Sequence, residues 1–148
     1  MNTTVSTKET LRQELRLQRE KITQEEYTTR SAEIAKRLLE ILRPFQTILV
    51  YSSKPPEVDT RPLIAALLKQ GKKVIVPIIQ CEDCSLRLSY IRTPDVLVPS
   101  TFSVPEPVGK EIPADPAEIE VALIPLLGFD ACGNRIGLQT NSPSLNRV

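Results

Sequence analysis

The densest chemistry in the sequence lies at residues 123–137, LIPLLGFDACGNRIG. Arg135 supplies a planar, permanently charged guanidinium, and Gly137, two positions later, lets a ligand approach the backbone with no Cβ in the way. Gly128, Asp130 and Gly133 punctuate the stretch as tight turns. A cation beside free backbone N–H groups holds anions, as at the opening of a phosphate loop. Beyond Gly137 the chain continues LQTNSPSLNRV, without another glycine.

Other candidate groups are spread along the chain. Lys8 and Arg12 are one helical turn apart, so both cations share a face. By spacing alone this is most simply an ordinary solvated face, and Arg16 and Arg19 read as surface charges beside Glu9 and Glu14. Glu57 falls in a Pro-rich loop just after an expected strand, where open α/β sheets hold their ligands, although position alone also fits a solvated loop carboxylate. Ser52, where that strand ends, is a second candidate for the same pocket. Cys81 and Cys84 form a CxxC, but zinc needs two more ligands, and with no histidine in the chain Cys132 is the one soft candidate left. The bland reading is a polar turn carrying two reduced cysteines. Lacking histidine, the chain also lacks the commonest general base. No catalytic nucleophile or metal ligand is therefore assigned, and any catalysis must rest on carboxylates, cations and geometry.

These groups need a scaffold, and hydrophobic patterning supplies one. Ser6 with Glu9 and Thr23 with Glu26 have the capping-box spacing, which predicts helices over 7–20 and 24–42, the second with Ile34, Leu38, Leu39 and Leu42 on one apolar face. Strands are expected at 46–51, 73–79 and 121–125 from their Ile, Leu and Val content. A helix over 61–70 lies between the first two, capped by Asp59 or Thr60 and stopped by Gly71. Strand, helix and strand at this spacing imply a right-handed crossover and a parallel pair. Residues 86–92 alternate and read as an antiparallel or edge strand, while six prolines between 94 and 116 read as an extended loop. The expected fold class is α/β: a three-layer α/β/α domain with a mostly parallel sheet and two N-terminal helices.

Three segments, in order, carry a resemblance. Lys8 to Arg12 reads K-x-x-L-R; Tyr51 to Thr60 reads YSSKPPEVDT and is followed by Gly71-Lys72 and Val76-Pro77; Pro125 to Gly137 reads P-x-x-G-F-D-x-x-G-N-R-x-G. Together they resemble the 5-formyltetrahydrofolate cyclo-ligases (5,10-methenyltetrahydrofolate synthetases) over about residues 8–137. The resemblance implies a ligase of one-carbon metabolism that uses ATP and Mg²⁺. In that reaction the formyl oxygen on N5 of 5-formyltetrahydrofolate is phosphorylated and N10 attacks the activated carbon. Phosphate then leaves to give 5,10-methenyltetrahydrofolate, ATP having become ADP. It further implies that Lys8, Arg12, Arg135 and Gly137 contact ATP, that Glu57 accepts a hydrogen bond from the pterin, and that Ser52 lines the folate pocket. The family follows R-x-G with a glycine-rich G-x-G-x-G-Y-Y-D stretch, whose amides cradle triphosphate and whose aspartate helps hold Mg²⁺. Here 138–145 reads LQTNSPSL, so the single domain, 1–148, is expected to be incomplete at its C-terminus, with 138–148 unlike the family. Two alternatives stay open: a non-catalytic remnant that binds folate or nucleotide, and a structural α/β domain with a CxxC metal site.

Composition narrows the partners. The 19 basic and 18 acidic residues nearly cancel, so no global field favours nucleic acid. Three Phe, three Tyr and no Trp leave little for base stacking. No apolar run approaches a membrane span, and the N-terminal arginines alternate with glutamates, unlike a transit peptide. A cytoplasmic protein acting on a small molecule is expected; oligomeric state is not encoded legibly. Because the CxxC lacks third and fourth ligands, replacing Cys81 and Cys84 with serine should leave the denaturation midpoint and ligand affinity unchanged; loss of bound zinc together with unfolding would contradict this.

Overall fold

A computed structural model of the chain describes residues 3–80, 85–100 and 104–137. The Cys81 and Cys84 pair and the 138–148 segment therefore lie outside the described residues.

Helix α1 (Thr3–Glu20) begins a turn earlier than the sequence suggests, so Ser6 lies inside the helix instead of capping it. Glu9, the expected capping-box partner, is engaged by Arg12 at 2.7 Å. Helix α2 (Gln24–Ile41) does start at its capping box: the Glu26 N–H donates to the Thr23 hydroxyl (3.1 Å) and the Thr23 N–H donates to the Glu26 carboxylate (2.9 Å).

Strand β1 (Thr47–Val50) is buried at all four positions. It runs parallel to β2 (Lys73–Ile79) on one side and to β7 (Val121–Leu123) on the other. Continuous Ile, Leu and Val is what a strand buried on both faces requires. Helix α3 (Arg61–Lys69) makes the crossover from β1 to β2 and ends as expected at Gly71, whose φ of +79° is the left-handed conformation glycine tolerates best. There the Gly71 N–H donates to the Leu68 carbonyl and the Lys72 N–H to the Leu67 carbonyl, the paired bonds of a Schellman motif. One sheet face (Ile48, Val50, Val74, Val76, Ile91) meets Ala35 and Leu42 from α2 and its flank, and Leu63, Ile64 and Leu67 from α3. Each fully buried Leu or Ile there contributes roughly 1.5–3 kcal/mol of transfer free energy.

Strand β3 (Leu86–Ile91) runs antiparallel to β2, as its alternation implied. The proline-rich stretch departs from a plain loop. It contains 3₁₀ turns at Pro94–Val96 and Pro116–Glu118, the short antiparallel pair β4 (Val98–Pro99) and β5 (Pro105–Glu106), and β6 (Ile112–Pro113). Proline cannot donate to a ladder, but two-residue edge strands need few donors. The Ile112 N–H donates to the Ser89 hydroxyl (2.9 Å), and β6 covers the flank of β3. The sheet order is β6-β3-β2-β1-β7, with β3 alone running against the other four strands. A hairpin of β8 (Gly128–Phe129) and β9 (Arg135–Ile136) follows β7.

A Cβ at Gly71 would meet open space, so Gly71→Ala tests backbone conformation alone. It should cost about 1–2 kcal/mol, read as a lower denaturant midpoint with an unchanged slope.

Candidate functional site

Chain topology creates one crevice. From β1 the chain crosses through α3 to β2 on one side, while β7 lies on the other and leads into the β8–β9 hairpin, so the segments leaving the paired C-terminal ends of β1 and β7 take separate paths. Such a switch point is where open α/β sheets take ligands. A cleft of about 590 Å³ lies there. Its walls are mainly apolar, from α2 (Ile34, Ala35, Leu38), Leu63 and the segment leaving β7; its polar groups come from Arg19, Tyr51, Glu57, Asp59 and Thr60.

The loop from β1 to α3 is held shut by its own hydroxyls. The Ser53 N–H donates to Thr60 Oγ1 (3.1 Å), the Thr60 N–H donates to Ser53 Oγ (2.9 Å), and Thr60 Oγ1 donates to the Tyr51 carbonyl (2.8 Å). Thr60 is thus spent on the loop and does not cap α3; Asp59 does, accepting from the Arg61 N–H at 3.1 Å. This bracing presents Glu57, whose Oε1 accepts from the Lys54 N–H (3.0 Å). Burial pushes the Glu57 carboxyl above the usual carboxylate range, against the Lys54 hydrogen bond and the charges of Arg19 and Lys54. Burial also pushes the Tyr51 phenol up to about 12, helped by the Glu57 charge. Ser52, expected to line the same pocket, is buried and is not among the cleft-lining residues.

The second expected group gathers around the hairpin. Asp130 closes its turn: Oδ1 accepts from the Cys132 and Asn134 N–H groups (both 2.9 Å) and Oδ2 from Asn134 Nδ2 (2.9 Å). These bonds hold the Asp130 carboxyl below its usual range, the Asn134 side chain foremost. Gly133, at φ +86°, completes the reversal. Arg135 and Gly137 emerge half-buried on the returning arm. Helix α1 docks here, with Leu15 against Gly128, so close that an added Cβ would lie 2.6 Å from Leu15 Cδ1. Arg12, 5% exposed, crosses 125 positions of sequence to donate through Nε to the Gly137 carbonyl (3.0 Å), while its Nη1 bonds Glu9. Lys8 is exposed one turn earlier on α1. The fold thus unites Arg12 with Gly137 and Arg135, and sets Glu57 in a cleft that shares the Gly128–Phe129 arm with them.

Arg19 differs most from its sequence reading as a surface charge. It is half-buried, lines the cleft, and donates through Nη2 to the Leu126 carbonyl (3.1 Å). The signal was available in the sequence: Lys8, Arg12, Leu15 and Arg19 are spaced four, three and four apart, the stripe of one helix face. Among the described residues no group of three or more His, Cys, Asp or Glu side chains is arranged to hold a metal, and no helix is long and apolar enough to cross a membrane.

Because burial raises the Glu57 carboxyl, folding disfavours its charged form. Stability is fully present below the ordinary glutamate value of 4.5 and is lost as pH rises through the raised value. Glu57→Gln keeps the acceptor for the Lys54 N–H and removes the charge. Its stability relative to the parent should rise between pH 4 and pH 7 in urea unfolding; a pH-independent difference would show that Glu57 ionises as it does in the unfolded chain.

Comparison with known proteins agrees with this architecture. The description "5-formyltetrahydrofolate cyclo-ligase family" belongs to a family model that matches residues 4–138. The 5-formyltetrahydrofolate cyclo-ligase of Escherichia coli (strain K12) is 32% identical over 97 residues, covering 62% of this chain and 52% of that protein. The Haemophilus influenzae protein of the same name is 31% identical over 102 residues, covering 65% and 52%. The chain spans about half the length of these curated relatives. Among solved structures, the NMR structure of Aquifex aeolicus 5,10-methenyltetrahydrofolate synthetase superposes with a TM-score of 0.80 at 26% identity, over 95% of this chain and 73% of that one. A Mycoplasma pneumoniae 5,10-methenyltetrahydrofolate synthetase, at 21% identity, shares the fold with a TM-score of 0.66 over 88% and 70%. The three-layer α/β fold with its mostly parallel sheet is therefore that of the solved 5,10-methenyltetrahydrofolate synthetases. Motif order, fold and family match agree, and the chain belongs to the 5-formyltetrahydrofolate cyclo-ligase family.

Proposed function

We propose that this chain acts in the ATP-dependent conversion of 5-formyltetrahydrofolate to 5,10-methenyltetrahydrofolate, with the pterin in the cleft at the ends of β1 and β7 and nucleotide phosphates at the α1–hairpin corner. The observation that supports the reading is the meeting of two unlike surfaces at one hairpin: an apolar cleft with a half-buried carboxylate, and a corner where Arg12 bonds the Gly137 carbonyl, with Arg135 two residues before Gly137 and Lys8 one turn before Arg12. A ring system with N–H donors along one edge suits the first, and an anion suits the second.

Each residue has a limited task in this reading. Glu57 accepts from the pterin N–H groups and fixes the ring. Arg12 works indirectly, since its guanidinium is already bonded to Glu9 and Gly137; it holds the hairpin exit against α1. Lys8 and Arg135 supply positive charge. Phosphoryl transfer rests on positioning and charge neutralisation, which suits a chain without histidine. Mg²⁺ would neutralise phosphate charge in such a reaction, but the described residues offer no carboxylate cluster to hold it.

Calorimetry with the unmodified chain tests the assignment by binding, independently of turnover. Glu57→Gln should weaken 5-formyltetrahydrofolate about tenfold or more and leave ATP affinity within about twofold, because it removes a charged hydrogen-bond acceptor from the cleft alone. Arg135→Ala should do the reverse. Equal effects of both variants on both ligands would refute two separate subsites.

A further inference from the structure

Phe129 is the most exposed large apolar side chain among the described residues, at 79%. A single exposed apolar residue is ordinary, but this one stands in the wall of the cleft. The other ring there, Tyr51, is half-buried and committed through its hydroxyl to the Val58 carbonyl (3.3 Å). The backbone that carries Phe129 is pinned on both sides. The Leu127 N–H donates to the Ile136 carbonyl (2.7 Å) and the Asp130 N–H to the Asn134 carbonyl (3.0 Å). Leu15 packs on Gly128 just before it, and the Asp130 turn follows. An exposed ring on a fixed arm is preorganised for a ligand, since only its own χ angles remain to be ordered.

Strand register sets where that ring lies. Phe129 pairs with Arg135 across the hairpin, and opposed residues of an antiparallel pair project from the same face. The ring therefore adjoins both the cleft and the proposed phosphate corner. A cleft of about 590 Å³ is of the size that buries most of a drug-sized ligand, more than a bicyclic pteridine alone needs. With the pteridine edge at the half-buried Glu57, the next group of the substrate is the aminobenzoyl ring, which carries N10. Resting on the folate reading above, we infer that Phe129 is a substrate-binding residue that packs against the aminobenzoyl ring at the mouth of the cleft and so holds N10 beside the formyl group on N5. Offset or edge-to-face packing of two aromatic rings adds to what their buried apolar area contributes. Holding N10 there removes rotation about the bonds that join it to the pteridine, which is the freedom that cyclisation must overcome.

Calorimetry on the full chain compares 5-formyltetrahydrofolate with 5-formyltetrahydropterin, which ends at the pteridine. Phe129→Ala should weaken the folate about tenfold and leave the pterin within about twofold. The pterin also lacks the glutamate, but that loss is common to parent and variant and cancels between them. Phe129→Tyr, which keeps a ring, should bind the folate as the parent does. Because the side chain is so exposed, these variants should melt with the parent. Phe129→Trp adds a spectroscopic readout, since the chain has no tryptophan: its emission should move to shorter wavelength with the folate and stay in place with the pterin. Any result in which Phe129→Ala does not weaken the folate more than the pterin would overturn the inference. So would an indole emission that stays put while the folate binds. Glu57→Gln separates the two readings, because it should weaken both ligands alike; if it weakens neither, the pteridine placement falls and the Phe129 effect stays visible. If the parent binds neither compound, both readings fall.

Discussion

Strand β1 is the constraint from which the rest follows. It lies between two parallel neighbours and is buried at every residue, so its side chains have no room for chemistry. Parallel neighbours on both sides also force connections that cross the sheet, and α3 together with the return to β7 are those connections. Where β1 stops, the chain must leave between diverging paths, and the cleft opens at that point. Its position is thus a consequence of strand order.

Two long-range bonds from α1 turn that opening into a walled site. Arg12 reaches the Gly137 carbonyl and Arg19 the Leu126 carbonyl, bracketing the hairpin after β7 from both ends. The guanidinium suits this work because it stays charged and its fork can hold one carbonyl while another arm points elsewhere. Arg12 spends its second arm on Glu9, whereas Arg19 keeps one arm without a partner among the described residues. Neighbouring positions on one helix face thereby acquire different tasks, one structural and one facing the cleft.

Electrostatics in the cleft follows from the burial of its ionisable groups. Burial is the main cause that moves Glu57 and Tyr51 toward their neutral forms, the Glu57 charge adds to the Tyr51 shift, and the charge of Arg19 opposes both. Asp59 and Asp130 move the other way because each is saturated with donors, Arg61 for the first and the Asn134 amide for the second. These two build turns, whereas Glu57 meets one backbone donor and keeps acceptor capacity facing the cleft. That contrast separates a carboxylate with spare acceptor capacity from two turn-building ones of similar sequence appearance.

Local signals in the sequence determined much of this. The capping box of α2, the Schellman stop at Gly71, the bounds of β2 and the Asp130 turn all depend on residues within six positions of one another, and they formed as read. The family was legible too, because its motifs are contiguous and ordered. Other features depended on tertiary structure. Ser6 could not be recognised as a helix interior position, since nothing local stops a helix from gaining a turn. Within the proline-rich stretch, β6 exists because β3 offered a free edge to pair with, and β4 and β5 pair with each other. Arg19 looked like surface charge because its burial depends on Leu126, 107 positions away, and on a cleft assembled from helices and strands that the sequence does not set side by side. Hydrogen bonds within a turn are fixed by residue type and spacing; burial depends on what packs above, and only the folded chain decides that.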